Sequence, residues 1–121
     1  MNNFYYSDST VEQFFIDQGT AFLTVRDVHY ENALVTIRVK VNNFSLLQEN
    51  KGEEKNEYED IESLELLGKS SEVLDLSMKE DRFTVLIQWN LFQPRKTLTR
   101  SYNVIGEYVV VDVSDPYPDK R

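Results

Sequence analysis

Phe83-Thr84-Val85-Leu86-Ile87-Gln88-Trp89-Asn90-Leu91-Phe92 places Phe83, Val85, Ile87, Trp89 and Leu91 at every second position. A period of two sends successive side chains to opposite sides of an extended chain, so this run reads as a β-strand with one face on a core. Pro94 ends it, because proline has no N–H for a ladder and fixes its own φ. The same rhythm recurs on both sides. Toward the C-terminus, the charged turn Gln93-Pro94-Arg95-Lys96 leads into 97–104 (TLTRSYNV). Gly106 then punctuates the passage to Tyr108-Val109-Val110-Val111-Asp112-Val113. Toward the N-terminus, Leu74, Leu76 and Met78 alternate with Asp75, Ser77 and Lys79, and strand signals begin at Leu64 and Leu66.

The first third of the chain carries two more extended runs. In 33–41, Val35, Ile37, Val39 and Val41 share one face while Thr36, Arg38 and Lys40 point away. In 20–30, Phe22, Thr24, Arg26, Val28 and Tyr30 alternate with Ala21, Leu23, Val25, Asp27 and His29. Only Glu31-Asn32 separates the two, which predicts an antiparallel hairpin. Ahead of them, Ser9-Thr10-Val11-Glu12-Gln13 has capping-box spacing before Phe14, Phe15 and Ile16, which predicts a short helix over 10–18 that stops before Gly19. Phe4, Tyr5 and Tyr6 would either staple that helix down or form an aromatic contact patch. The expected architecture is mainly β (α+β): an antiparallel sheet curled into a sandwich or half-barrel, with one short N-terminal helix.

At 121 residues, with 40% hydrophobic and 12% aromatic side chains, the chain is one domain able to bury a core. Within it we distinguish an N-terminal segment 1–8, an acidic loop 48–60 and a tail 114–121, whose two prolines suit a surface-lying or frayed end. The 21 Asp and Glu outnumber the 13 Lys and Arg, for a net charge of −8, which excludes a broad phosphate-neutralising face and makes free nucleic acid an unsuitable partner. Three quarters of that charge lies in 49–65, where eight acids meet two bases. The segment is polar enough for a mobile loop, while Lys51, Glu54, Lys55 and Glu59 also permit a helical turn or two. Residues 1–10 lack the basic and apolar regions of a leader, and no run approaches the roughly 18 apolar residues of a membrane span. The expectation is a soluble, cytoplasmic protein without a membrane partner.

Chemistry-bearing motifs are sparse. There is no cysteine, which removes thiol nucleophiles, disulfides and Cys-ligated metal, and the four glycines, Gly19, Gly52, Gly68 and Gly106, form neither a phosphate loop nor a dinucleotide fingerprint. His29, near Asp27, Tyr30 and Glu31, is the single histidine; a strand histidine with a satisfied hydrogen bond is the simpler reading than a triad member. Glu57, Glu59 and Asp60 lack the rigid cleft that a glycosidase pair requires, and no calcium-loop pattern is present. Arg95, Lys96 and Arg100, with Tyr102 nearby, read as charges protecting a sheet edge. The protein is therefore expected to bind rather than catalyse, with no cofactor and no metal.

The strand pair containing Asp27-Val28-His29-Tyr30, the acidic excursion, the run Phe83 to Trp89 and Tyr102-Asn103-Val104-Ile105-Gly106 before a valine-rich strand together resemble small bacterial immunity proteins of polymorphic and contact-dependent toxin systems. The resemblance is one of size, charge and strand order over most of the chain. It implies stoichiometric inhibition of a cognate toxin, a nuclease being a suitable one, by a basic protein's attraction to Glu53, Glu54, Glu57, Glu59, Asp60 and Glu62. Tyr58 and Ile61 would be the desolvated anchors. A phage-encoded inhibitor or nucleic-acid mimic acting on a defence nuclease shares this physics. A small-ligand or enzyme domain would instead enclose a pocket lined by residues such as Tyr30, Trp89 and Tyr102.

Overall fold

The computed structural model describes residues 4–51, 57–68, 70–92 and 95–119. Among the described residues ten strands form two antiparallel five-stranded sheets, one of them curled into a half-barrel, and no helix occurs. In the first sheet, β1 (Phe4–Tyr5) and β2 (Thr10–Asp17) pair with successive stretches of β3 (Thr20–Tyr30). Next to β3 lies β4 (Ala33–Asn42), and β10 (Tyr108–Val113) forms the far edge. The second sheet runs β6 (Glu59–Asp60), β5 (Leu46–Asn50), β9 (Arg95–Ile105), β8 (Arg82–Phe92), β7 (Ser70–Met78).

The alternating strands bury their predicted faces. Ala21, Leu23, Val25, Val35, Ile37, Val39 and Val41 from one sheet meet Phe83, Val85, Ile87, Trp89, Tyr102 and Val104 from the other, all at most 2% exposed. Phe14 of β2 bridges the layers, with its ring 4.8 Å from that of Tyr102 and 6.3 Å from that of Trp89. At one margin β2 meets β7, where Val11 N–H donates to Ser71 Oγ at 2.9 Å. Tyr30 lies away from this centre, against Phe4, with ring centroids 5.2 Å apart. Trp89 and Tyr102 thus fill the core, while Tyr30 packs at its margin.

The expected helix over 10–18 is instead strand β2. Gln18 and Gly19 both take positive φ, 50° and 81°, the backbone of a two-residue turn whose twist matches antiparallel strands, and it folds β2 straight back onto β3. Phe15 stacks on Phe22 across that hairpin at 4.7 Å and 4°. The capping-box hydroxyl does no capping: Ser9 Oγ is buried without a hydrogen-bond partner among the described residues. A register shift between Val11 and Gln13 breaks the period-two pattern that would have marked the strand.

Similar irregularities account for other departures from simple alternation. Between Val25 and Val28 the β3–β4 register shifts, with Asp27 at φ 62°, so Val28 returns to the core. In β7 a shift between Val73 and Asp75 turns Leu74 outward at 44% exposure and sends Val73 and Leu76 inward, so Leu74, Leu76 and Met78 do not share one face. Leu64 is buried and Leu66 exposed, but 61–68 is not a strand. The tail does not fray at its start: Ser114 N–H donates to Thr36 O, and Tyr117 exchanges backbone bonds with Leu34 at 2.8 Å each. Tyr108, Val110, Val111 and Val113 of β10 stay exposed at the edge of the first sheet. Gly106 enters this strand where only hydrogen fits, since a Cβ there would lie 2.5 Å from Val41 Cγ1.

Candidate interaction surface

The segment expected to be a loop over 48–60 is extended at both ends. Gln48, Glu49 and Asn50 belong to β5, while Glu59 and Asp60 form β6, which pairs with Glu49 and Gln48 and makes the edge of the second sheet. Glu57, Glu59, Asp60 and Glu62 are exposed there, so four carboxylates stand along one sheet edge. Glu53 and Glu54 lie outside the described residues. Ile61 is half-buried against the core and donates its N–H to Leu47 O at 3.0 Å. Tyr58 is half-buried as well, its hydroxyl 2.9 Å from Ser101 Oγ. Both expected anchors are thus held by the sheet rather than projecting from it.

Glu49 behaves differently from its acidic neighbours. Strand alternation turns it toward the inner layer opposite Tyr102, where it is 9% exposed and 3.8 Å from Arg100 Nε. Trp89 Nε1–H donates to the Tyr102 hydroxyl at 3.1 Å, and Arg100 Nη1 donates to Lys51 O at 2.9 Å. Burial pushes the Tyr102 hydroxyl well above its usual range, and the neighbouring Glu49 carboxylate adds to the rise. A polar chain therefore runs from the tryptophan in the core to the backbone at the start of the acidic segment. Arg100 belongs to this chain and not to the basic turn: it lies mid-strand, while Arg95 and Lys96 are exposed at the start of β9, roughly 14–17 Å away along the strand at its usual rise.

The outer face of the second sheet is amide and hydroxyl rather than apolar. Thr84 Oγ1 donates to Asn103 Oδ1 at 3.4 Å, Asn103 Nδ2 to Gln48 Oε1 at 3.4 Å, and Gln48 Nε2 to Asp60 Oδ1 at 3.3 Å, crossing β8, β9, β5 and β6 in register. Beside this ladder a half-open pocket of about 280 Å³ is lined by Tyr58, Ser77, Lys79, Arg82, Thr84 and Asn103. Lys79 and Arg82 flank the β7–β8 turn, which Lys79 N–H closes onto Arg82 O at 2.8 Å. Arg82 reaches Asp81 through Nε at 3.1 Å and Nη2 at 3.4 Å, and this guanidinium holds the Asp81 carboxyl below the usual range. This pocket is not among the expectations drawn from the sequence. Its signal was the charged Lys79-Glu80-Asp81-Arg82 between two strands, but only cross-strand register brings Tyr58 and Asn103 to it.

His29 pairs in register with Tyr5 and Leu34 on β1 and β4. Asp27 accepts the Tyr117 hydroxyl at 3.0 Å, so its carboxylate serves the tail. Among the described residues no group of three or more His, Cys, Asp or Glu is placed to hold a metal ion, and no helix is long and apolar enough to cross a membrane. No family model, curated protein or solved structure matches this chain.

Proposed function

We propose that the protein is a non-catalytic binder that neutralises a basic bacterial toxin domain in the cytoplasm of the cell producing it, as an immunity protein does, with a nuclease as the toxin type best suited to its charge. The observation that carries this reading is the edge of the second sheet, where Glu57, Glu59, Asp60 and Glu62 are all exposed in a chain of net charge −8. Exposed carboxylates gathered at one edge complement a cationic phosphate groove and accelerate encounter with it. Tyr58 and Ile61, half-buried and fixed by the sheet beneath, offer anchors that lose little freedom on binding. A phage-encoded inhibitor of a defence nuclease would use the same surface, and the genes beside this one distinguish the two settings.

The test begins with capture of a near-stoichiometric partner from the native cell, followed by binding kinetics on the purified pair. A Glu57→Gln, Glu59→Gln, Asp60→Asn, Glu62→Gln variant is expected to associate more slowly and with a flatter salt dependence. Tyr58→Ala is expected to dissociate faster, with a loss of roughly 2 kcal/mol. Unchanged association and dissociation rates in both variants across a salt series would overturn the proposal.

A further inference from the structure

On an acidic protein, the pocket beside the amide ladder is distinctive because it gathers two cations and four hydroxyl or amide groups around one small volume. Lys79 makes no ion pair within 4 Å among the described residues, although it lies in the field of Asp81. Arg82 uses Nε and Nη2 on Asp81, which leaves Nη1 uncommitted. Glu80 shares the turn but does not line the pocket. Asp81 offsets Arg82 directly, whereas Lys79 has no counter-ion within 4 Å among the described residues and stays available at the mouth.

Across the floor, Thr84 and Asn103 are already fixed to one another, so their remaining donor and acceptor positions are preset rather than free to rotate. Ser77 adds a hydroxyl from β7, and Tyr58, tethered to Ser101, forms the opposite wall. A volume of about 280 Å³ lies at the low end for ligand sites and limits the occupant to a small molecule.

We propose that this pocket binds the phosphate monoester of a small polyol, with Lys79 and Arg82 on the phosphate and Ser77, Thr84 and Asn103 on the hydroxyls. A phosphate monoester carries about −1.5 to −2 charges near neutral pH and three acceptor oxygens, so it engages both cations at once; a carboxylate, with a single charge, does not need the second. The hydroxyl and amide floor distinguishes a polyol from an apolar ester, which would leave those groups unpaired. The pocket shares Tyr58 with the acidic edge, but this inference does not rest on the proposed toxin partner.

Backbone amide shifts of the full chain, followed by NMR during titration with glycerol 3-phosphate, inorganic phosphate and glycerol at constant ionic strength, test it. Glycerol 3-phosphate is expected to give saturable shifts centred on Ser77, Lys79, Thr84 and Asn103, with several-fold tighter binding than inorganic phosphate and no saturation by glycerol. Lys79→Ala and Arg82→Lys should each weaken it several-fold and the Lys79→Ala, Arg82→Ala pair by roughly tenfold or more, while Arg38→Ala and Lys40→Ala on the other sheet leave it unchanged. Trp89 fluorescence verifies that each variant is folded. Shifts that do not saturate, that spread equally to Arg38, Lys40, Arg95 and Lys96, or that persist in folded Lys79→Ala, Arg82→Ala protein would overturn the site. Equal affinity for inorganic phosphate and glycerol 3-phosphate would overturn recognition of the polyol. Glu57→Gln with Glu62→Gln should not weaken the phosphate ester, which separates this result from any failure at the acidic edge.

Discussion

Trp89 donates its indole N–H to the hydroxyl of Tyr102 at 3.1 Å, and both rings are at most 2% exposed. A buried indole nitrogen needs a partner, and β9 supplies it diagonally, since the register partner of Trp89 is Leu98 and that of Tyr102 is Val85. Tyr102→Phe retains the ring that packs on Phe14 but leaves the indole N–H unpaired. Urea unfolding should show a loss of about 1–3 kcal/mol.

The same pair gives the protein an alkaline limit. Tyr102 has its hydroxyl pKa raised above the ordinary 10.0, so the folded state favours the neutral phenol. The stabilisation is fully present below pH 10.0 and is lost as pH rises from there toward the folded value, because the unfolded chain releases its proton first. Stability measured from neutral pH upward should decline above pH 10.0, and Tyr102→Phe should lack this component of the decline.

Gly19 sits at φ 81° in the turn that makes β2 a strand. Gly19→Ala should lower stability by about 1 kcal/mol through backbone strain alone, since the nearest atom to an added Cβ is Asn43 Oδ1 at 3.9 Å. Thermal and urea unfolding should agree on the size of the loss. Gly106→Ala, which forces Val41 and the Asn42 carbonyl aside, should cost more.

How much was readable in the sequence follows from what each residue was competing against. Val35 to Val41 and Phe83 to Trp89 face one environment along their length, so their alternation passes unbroken into the core. At Glu12, Asp27 and Leu74 one extra residue changes the phase, and no local preference announces it. The helix expected over 10–18 failed because a cap contributes about 1 kcal/mol, whereas pairing with β3 and burying Phe14 between Trp89 and Tyr102 contributes more. The carboxylates of the acidic edge were legible as charge. The inward turn of Glu49 and the tethering of Tyr58 were not, because both depend on β9, some 50 residues away in a different strand.

Tyr117 holds the tail by a hydroxyl that accepts Asp27 N–H at 2.9 Å, donates to Asp27 Oδ1 at 3.0 Å and lies 3.2 Å from Thr36 Oγ1. Tyr117→Phe should therefore cost about 1–2 kcal/mol and raise hydrogen exchange at the Asp27 amide, with the β8–β9 amides unaffected. Equal exchange increases in both sheets would show that the tail is integral to the whole fold.

The valines of β10 have a consequence for how this chain lives at high concentration. Ser114 N–H bonds Thr36 O, which sets the phase of the ladder: alternate residues face β4, and the peptide groups of Val111 and Val113 face outward. An edge of that kind templates fibre growth. In the antiparallel register that would satisfy both peptide groups, however, Asp112 lies opposite Asp112 of a second copy at close range, and the two like charges oppose docking. One carboxylate within YVVVDV thus acts as a gatekeeper: Val109 N–H is taken by Glu80 O, and the remaining open edge over 111–113 can stay apolar without the molecules zipping together.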